Sequence, residues 1–562
     1  MNTLSVVILG LVWFYLAYRY YGNFIKRHLA RKPASNITPA HKYKNFIDYM
    51  PGKKALLWGN HFAAIAGAGP IIGPILAVSY FGWGYTTLWI ALGSVFIGAV
   101  HDYMSLIISN RNEGKGIAYI AGKYMGNSIQ IAFSILLWLL LLLIVAVFMV
   151  SVAEALINVP QLVIPTFGLV FIATFVGLCL KAGMNDYLVA IVGIFLAYFL
   201  IWVGYIYPLA LPATLSKNFI FIFWIVILTL YCFWASISPI WLLLRPRDFI
   251  SSVKLVVGML LGFIGIFLIH PHINAPFHVG GFYSGYKPIW PLLFIIVACG
   301  AISGFHAIVA SGTTTKQLNK EADAKGIAFG GMILEGVLAL LVVMVVSGGL
   351  YWGNAPIGTP AGNVDLYFAN ALSKNWIIAF GKGFGNIVGQ LHIPYLTATL
   401  AALVGAVMVK SFILTTLDSG TRLARLICQE QFSKFLPIFK IRWMSSLIFL
   451  IPAFLLAITK SYITIWTTFG AANQLVASVT LLLISIWLVE KKRPTLYTFL
   501  PAIFMLCTTI ASLLWESFNF HTGFFLGEKT EPAVGIIAML LLVLVIYIIF
   551  VAGKKYMNLL RK

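Results

Sequence analysis

Long apolar runs recur along the whole chain, and short polar or basic stretches separate them. A helix that crosses a bilayer needs about 20 apolar residues, because a rise of 1.5 Å per residue must cover about 30 Å of hydrocarbon. The pattern therefore predicts an all-α polytopic membrane protein with about fifteen spanning helices. The predicted spans are approximately residues 4–18, 62–80, 85–109, 129–157, 164–180, 186–207, 218–244, 252–271, 289–315, 327–351, 394–418, 443–459, 463–489, 496–515 and 533–552.

The second of these runs cannot form an uninterrupted helix. It reads GNHFAAIAGAGPIIGPILA and places two prolines among several glycines. Proline lacks the backbone N–H and glycine weakens the helix around it, so some backbone groups lose their partners. In hydrocarbon such groups must face protein, water or a ligand. The run predicts a broken helix with a binding site at Ala66, Gly67 and Gly69. A kinked helix packed tightly on its neighbours is the alternative.

A second interruption lies in the sequence FWASISPIWLLLRP, where Ser236, Ser238 and Pro239 fall within an apolar span. It is the fifth span after the first break, and an odd number of crossings reverses the direction of the chain. The two breaks then enter the membrane from opposite sides, which predicts a LeuT-like five-plus-five inverted repeat with a site between the halves. The serine hydroxyls and loosened N–H groups are candidates for binding a carboxylate. The alternative is that each hydroxyl bonds a carbonyl of its own helix.

This repeat divides the chain into four predicted parts. Residues 1–54 form an N-terminal helix and a basic loop, and residues 55–210 and 211–430 form the two five-helix repeats. Residues 431–562 form a C-terminal extension of about four helices. No predicted cytoplasmic stretch is long enough for a soluble output domain.

Composition and charge exclude several classes of protein. With 61% hydrophobic and 10% charged residues, the chain is not a soluble enzyme with one core. The net charge of +22 does not indicate nucleic acid, because the basic residues lie in short loops. If the loop after the first helix is cytoplasmic, cytoplasmic loops hold 31 of the 38 Lys and Arg residues and outer loops hold six. This asymmetry predicts an outer N-terminus and a cytoplasmic C-terminus. The five cysteines, an odd number, indicate no disulfide framework.

Several blocks of the sequence resemble the carbon starvation protein A (CstA) family. They are GNHFAAIAGAGPIIGPILA, GAVHDYMSLIISNRN, WLLLRPRDFI, ACGAISGFHAIVASGTTTKQL and FILTTLDSGTR, between about residues 55 and 430. The resemblance implies a LeuT-like importer of the amino-acid/polyamine/organocation (APC) superfamily in a prokaryotic inner membrane, which takes up peptides or pyruvate under nutrient limitation. The family's aspartate often follows glutamine, whereas His101 precedes Asp102 in this chain.

The resemblance also implies candidate ligands. His61 precedes the first break, where an imidazole can titrate near neutral pH, and the alternative is a hydrogen bond to a loop carbonyl. In LeuT-like proteins the first broken helix and the eighth core helix bracket a cation site. By that resemblance Ser303, His306 and Ser311 are expected to contact the substrate or the ion. Small residues on the same helix are explained by close helix packing alone.

Three charged residues inside predicted spans share the same predicted depth. Asp102, Glu335 and Lys410 each lie seven or eight residues from the cytoplasmic end of a span, at a shared depth of roughly 12 Å. An unpaired charge at a helix centre costs on the order of 2.5–3.5 kcal/mol. We therefore expect Lys410 to pair with Glu335, with Asp102 as the second choice, unless the side chains extend to cytoplasmic water. Asp418 and Arg422 are expected to form part of an inner gate or an anchoring ion pair.

These features predict secondary active import of a short peptide or a pyruvate-like carboxylate by alternating access. The sequence contains no P-loop, zinc-type histidine spacing or nucleophile elbow, so no enzymatic activity, cofactor or metal is expected. The histidines favour H⁺ as the coupling ion, and serine and threonine oxygens make Na⁺ the alternative. A membrane nutrient sensor or scaffold that retains a transporter fold is the alternative function. The expected partners are the small-molecule substrate and the lipid bilayer, without nucleic acid, and the sequence leaves the oligomeric state open.

Overall fold

The computed structural model describes residues 2–31, 37–45, 49–212, 214–279, 283–284, 287–354, 359–459, 462–519, 523–527 and 531–560. Thirteen helices among them are long and apolar enough to cross a membrane, or up to fourteen if a bent pair counts as one span. The predicted all-α architecture of a multi-pass membrane protein is thereby confirmed. The predicted LeuT-like repeat, the total of about fifteen spans and the four-part division stay predictions.

We number the helices in chain order. The first ten are α1 Thr3–Ala30, α2 Lys54–Ile65, α3 Gly69–Phe81, α4 Trp83–Asn110, α5 Ile117–Met125, α6 Asn127–Asn158, α7 Val163–Lys181, α8 Asp186–Ile206, α9 Lys217–Ile237 and α10 Leu244–Ile269. The next nine are α11 Ile289–Ile296, α12 Gly304–Val309, α13 Glu321–Gly348, α14 Trp376–Gly389, α15 Ala398–Glu430, α16 Arg442–Thr459, α17 Tyr462–Glu490, α18 Leu496–Phe518 and α19 Pro532–Leu560.

Short elements connect these helices. Two strands of two residues, β1 Tyr283–Ser284 and β2 Lys287–Pro288, pair antiparallel before α11. The short helices and turns outside the longer helices are Pro39–Lys42, Pro160–Leu162, Ala361–Val364, Phe368–Lys374, Phe432–Lys434 and Pro437–Lys440.

The break predicted in the second apolar run is present. Helix α2 ends at Ile65, α3 begins at Gly69, and the two are bent by 41°. The glycines allow α3 to pack directly on the backbone of another segment. A Cβ added at Gly73 would lie only 2.6 Å from the carbonyl oxygen of Ile296. Glycine is therefore required at this contact for close approach as well as for the break itself.

A second break interrupts the span that the sequence predicted as one helix over residues 289–315. Helix α11 ends at Ile296, and regular helix resumes only at Gly304, after which helical turns continue to Gln317. Ser303 has an extended backbone, with φ −141° and ψ 125°. The prediction of an uninterrupted helix is wrong here, because residues 297–303 pack as irregular backbone between α3 and α17.

The two broken spans lie side by side and run in opposite directions. At one end the Met50 N–H donates to the Lys316 carbonyl, just before α2 and just after α12. At the other end the Lys287 ammonium lies 3.7 Å from the centre of the Tyr80 ring. The two irregular segments therefore face each other in the middle of the bundle. We call the end at which α2 begins the basic end.

The interruption predicted at Ser238 and Pro239 lies at the end of a span. Helix α9 ends at Ile237 and α10 begins at Leu244, and each is long enough to cross a membrane alone. A break inside a span over residues 218–244 is therefore the wrong assignment. Proline lacks the N–H needed to continue a helix, which explains why α9 stops at this point. The segment that faces the first break is 297–303 instead.

Helix α17, assigned by sequence to the C-terminal extension, lies inside the bundle. Trp466, Asn473 and Trp487 on this helix are buried, as are most of its described side chains. The helix packs on α6, α12 and α18. The C-terminal helices therefore share one core with the two broken spans.

Candidate functional site

Three helices bring two carboxylates and an imidazole together beside the second break. Helix α4 supplies Asp102, α12 supplies His306 and α13 supplies Glu335, and all three side chains are fully buried. His306 Nδ1 lies 2.7 Å from Asp102 Oδ2, and His306 Nε2 lies 3.3 Å from Glu335 Oε2. The imidazole of a broken span therefore bridges carboxylates of two continuous helices.

Two further imidazoles lie at this site. His101 Nδ1 is 2.7 Å from the other oxygen of Asp102. His61 Nδ1 is 2.8 Å from the Thr314 hydroxyl, and the edge of its ring faces Gly331 of α13. Within the described part of the chain, Nε2 of His61 and Nε2 of His101 have no hydrogen-bond partner. Each ring thus keeps one nitrogen available for a further donor or acceptor. We call the five residues the histidine–carboxylate cluster: His61, His101, Asp102, His306 and Glu335.

Imidazoles alone compensate the charge of this cluster. In the ranges that the structure describes, histidines are the only cationic side chains within 4 Å of the carboxylates of Asp102 and Glu335. An ionised carboxylate in a membrane interior is costly unless it is paired. An imidazole supplies positive charge only when it binds a second proton. The net charge of the cluster therefore depends on its number of bound protons.

Wider helical turns lie next to the cluster in α4, in α13 and directly after α12. These π-helical turns are Ser94–Gly98 in α4, Ala310–Thr314 directly after α12, and Lys325–Phe329 in α13. A π turn inserts a residue and so rotates the side chains that follow it around the helix axis. The turns before Asp102 and Glu335 therefore set which faces of α4 and α13 meet the cluster.

No group of three or more His, Cys, Asp and Glu side chains in the described residues could hold a metal ion.

Asn473 of α17 caps the second break. Its Oδ1 accepts the Phe305 N–H at 2.9 Å and the Ser303 hydroxyl at 3.2 Å. Its amide nitrogen lies 3.3 Å from the Cys299 sulfur. The side chain thereby satisfies an N–H at the start of α12 that has no partner within the helix. Asn473 was not among the residues predicted from the sequence, although the polar pair Asn473 and Gln474 inside an apolar run was a usable signal.

The residues predicted at the first break form a wall between α15 and the second break. A Cβ added at Gly67 would lie 2.5 Å from the Thr416 hydroxyl of α15. Gly69 packs directly against Cys299. The Ala66 N–H still bonds within α2, but its backbone leaves the helical region at ψ 49°. The broken backbone thus contacts both α15 and the other broken span.

The predicted serine ligands have different surroundings. Ser311 donates to a carbonyl of its own helix and accepts the Ile117 N–H at 3.1 Å, which fixes the start of α5. Ser236 and Ser238 also donate to carbonyls of their own helix, as the alternative interpretation expected. The structure places these two serines at the end of α9 and does not bring them to the first break.

A separate ion-pair cluster ties α9, α10 and α15 together near the basic end. Arg247, which is fully buried, donates to the Asp418 carboxylate and to the Tyr231 hydroxyl. It also lies 3.1 Å from Asp248. Arg422 donates to the Ser238 carbonyl at 2.9 Å. These bonds join α10 to α15 in the region where the sequence predicted a gate.

The predicted pair between Lys410 and Glu335 is wrong. The Lys410 ammonium donates at 2.9 Å to the carbonyl of Leu162, directly before α7, whereas Glu335 faces His306. A shared depth along two helices does not determine which faces of the helices meet. Lys410 points toward α7, on a different side of α15 from the cluster.

Lys254 is a buried charge that was not among the residues singled out from the sequence, although it lies near the start of the predicted span 252–271. Because α10 begins at Leu244, Lys254 lies inside the helix and is only 3% exposed. Its ammonium donates to the Ser411 hydroxyl of α15 at 2.7 Å. The apolar stretch WLLL was a signal for an earlier start of this helix, which places Lys254 well inside the span.

The fold and the cluster define a polytopic membrane protein built around two facing broken helices, with a buried group of histidines and carboxylates beside them. The chain belongs to the family described as carbon starvation protein CstA, whose model matches residues 2–365 and 367–512.

Proteins of this family with curated names are similar along nearly the whole chain. The peptide transporter CstA of Bacillus subtilis (strain 168) is 31% identical over 592 residues, which cover 99% of this chain and 97% of that protein. The peptide transporter CstA of Escherichia coli (strain K12) is 30% identical, covering 92% of this chain and 82% of its own. The pyruvate/proton symporter BtsT of the same organism is 30% identical, covering 91% and 81%.

Proposed function

We propose that the protein is a secondary active transporter that imports short peptides or pyruvate-like carboxylates together with protons. Full-length similarity to proteins named as transporters of peptides and of pyruvate supports the transport of such solutes. The name pyruvate/proton symporter, given to one relative, supports protons as the coupling ion. In this proposal the protein lies in a prokaryotic inner membrane, with its N-terminus outside and its C-terminus in the cytoplasm.

The observation that carries the proposal is the position of His306 on a broken span between two carboxylates. Irregular backbone has few regular hydrogen bonds to lose, so α12 can move relative to α4 and α13 at low cost. Such movement changes the distances from His306 to Asp102 and Glu335. These distances determine how tightly the imidazole holds its proton. Proton binding and a change in access are therefore linked through one side chain.

Solute would bind beside the first break in this mechanism. Gly67 and Gly69 leave backbone groups near Thr416 of α15 and near the second break. Alternating access would then expose this wall first to the outside and next to the cytoplasm. The ion-pair cluster of Arg247 and Asp418 lies toward the basic end, where it would close the inner path.

Transport into proteoliposomes tests the proposal. Uptake of labelled pyruvate and of alanylalanine should follow an imposed proton gradient and should not require sodium. In His306→Gln, gradient-driven uptake should fall by about 5- to 150-fold, the usual range for loss of a coupling free energy. The exposed His392→Asn is the matched control, because asparagine tolerates the positive φ of that residue.

Two results would contradict different parts of the proposal. Uptake driven by sodium alone would exclude protons as the coupling ion but leave transport intact. Solute binding without accumulation under either gradient would exclude transport and favour a sensor with a transporter fold.

A further inference from the structure

Two buried lysines lie in the seam where α15 packs against α10 and the start of α7. Lys254 of α10 is 3% exposed and Lys410 of α15 is fully buried. The Lys254 ammonium bonds Ser411, the residue directly after Lys410. Because Lys410 and Ser411 are consecutive residues of α15, the Lys254 ammonium lies one residue from Lys410 along this helix. We call Lys254 and Lys410 the lysine pair.

The lysine pair has no acidic partner in the described part of the chain. Its described bonds are those of Lys254 to a hydroxyl and of Lys410 to the Leu162 carbonyl, at 2.7 and 2.9 Å. The acid nearest in sequence on α15, Asp418, is occupied by Arg247. Two like charges in a membrane interior are unfavourable unless an anion joins them. An ammonium has three N–H donors, so each lysine retains donors for such an anion.

The lysine pair lies close to the first break. Ser252, two residues before Lys254, donates to the Gly59 carbonyl of α2 at 2.8 Å. On α15, Thr416 faces Gly67 in the irregular segment between α2 and α3. The two helices that carry the lysines, α10 and α15, therefore contact α2 and the irregular segment that follows it. An anion between the lysines would border the region where the solute is proposed to bind.

We propose that Lys254 and Lys410 bind the carboxylate of the transported solute, while Ser411, which accepts from Lys254 and donates to the Val407 carbonyl, holds the Lys254 ammonium in place. This inference rests on the proposed transport function and names the part of the solute that is recognised. A carboxylate is the group that short peptides and pyruvate share, and cationic donors bind it in preference to an amide.

Competition in the wild-type protein is the first test. Unlabelled alanylalanine and its C-terminal amide are compared as inhibitors of labelled alanylalanine uptake, and pyruvate is compared with pyruvamide. Loss of a charge-assisted bond at a buried site weakens binding by about 10- to 100-fold, so each acid should compete at least about tenfold better than its amide. Equal competition by acid and amide would overturn the inference without any variant.

Substitution of the lysines is the second test. In Lys254→Met and Lys410→Met, KM for the acid should rise about tenfold or more, KM for the amide should change little, and the preference for the acid should disappear. Lys254→Arg and Lys410→Arg keep the charge and should retain part of that preference. Lys374→Met is the matched control, because its partner Asp365 and its exposed position place it outside the seam.

The outcomes separate the inference from the proposed function. Met variants that elute as intact protein and still prefer the acid would overturn the carboxylate site while leaving transport standing. Absence of uptake of both labelled solutes by the wild-type protein would overturn the transport function and the site together.

Discussion

The histidine–carboxylate cluster and the lysine pair are two buried charged regions that differ in how their charge is compensated. In the cluster, Asp102 and Glu335 meet imidazoles, which become positive only by binding protons. In the lysine pair, two ammonium groups meet a hydroxyl and a carbonyl. The first region suits the binding of a proton, and the second suits the binding of the solute's carboxylate. A proton and a carboxylate together are neutral, so loading both regions adds no net charge to the membrane interior.

The largest expected effect comes from removing the acid that holds two imidazoles. Asp102→Asn should reduce proton-driven uptake by about 100-fold, because His101 and His306 both lose their charged partner. Exchange of solute without a gradient should be retained. Asp365→Asn, at a partly exposed carboxylate paired with Lys374, is the control. Proton-driven uptake at the wild-type rate in Asp102→Asn would show that the cluster is not the proton site.

A double substitution tests whether the two regions are separate. Because Glu335 and Lys410 share no partner, the effects of Glu335→Gln and Lys410→Met on uptake should multiply, with coupling below about 0.5 kcal/mol. Asp102→Asn and His306→Gln, which are in contact, should instead be strongly non-additive. Recovery of uptake in the Glu335→Gln/Lys410→Met variant would reinstate the ion pair that the structure excludes. Initial uptake rates in proteoliposomes provide the measurement.

Loss of the cap on α12 should reduce proton-driven uptake by more than the accompanying loss of stability explains. Asn473→Ala leaves the Phe305 N–H buried without its partner and should cost about 1–3 kcal/mol of stability. Thr397→Ala removes an exposed cap at the start of α15 and should cost about 1 kcal/mol. Thermal unfolding in detergent measures both losses. Only Asn473→Ala should also reduce proton-driven uptake, and equal uptake by both variants would contradict a role for the cap.

The smallest effect is expected at exposed charges outside both regions. A hydrogen bond from Tyr43, at 2.6 Å, and one from Lys42 hold the pKa of Glu113 below its ordinary value. A carboxyl with a lowered pKa stabilises the folded state at neutral pH and loses that contribution as the pH falls through its titration range. Tyr43→Phe should therefore lower the unfolding temperature slightly at pH 7 but not below about pH 4. Tyr395→Phe, almost fully exposed, is the control, and a difference that persists in acid would exclude this bond as the cause.

The two breaks show how much of the fold was readable from sequence. The first was predicted because Gly69 and Pro70 disfavour a helix locally, whatever surrounds them. The second was missed because residues 297–303 contain no proline. Their irregular shape depends on Asn473, about 170 residues later in the chain. Local chemistry identifies one kind of break, and only the packed structure identifies the other.

The site was predicted as single residues but not as groups. Asp102, His306 and Glu335 were each singled out, since polar residues are rare in spans. Their grouping depends on which helix faces meet, and the π turns shift those faces in a way that ideal helical spacing does not anticipate. For the same reason Lys410 was given the wrong partner. Lys254 was not singled out because it lies near the edge of the predicted span 252–271, whereas α10 begins at Leu244 and places it well inside the helix.

The position of Asn473 sets a lower limit on how far the protein can be shortened. Its helix, α17, begins more than 30 residues after the last helix of the predicted transport core, and yet it holds the second break in shape. A gene truncated after that core would encode every member of the histidine–carboxylate cluster and still lack the side chain that caps α12. A C-terminal truncation that keeps this cap therefore has to retain the chain through the end of α17 at Glu490.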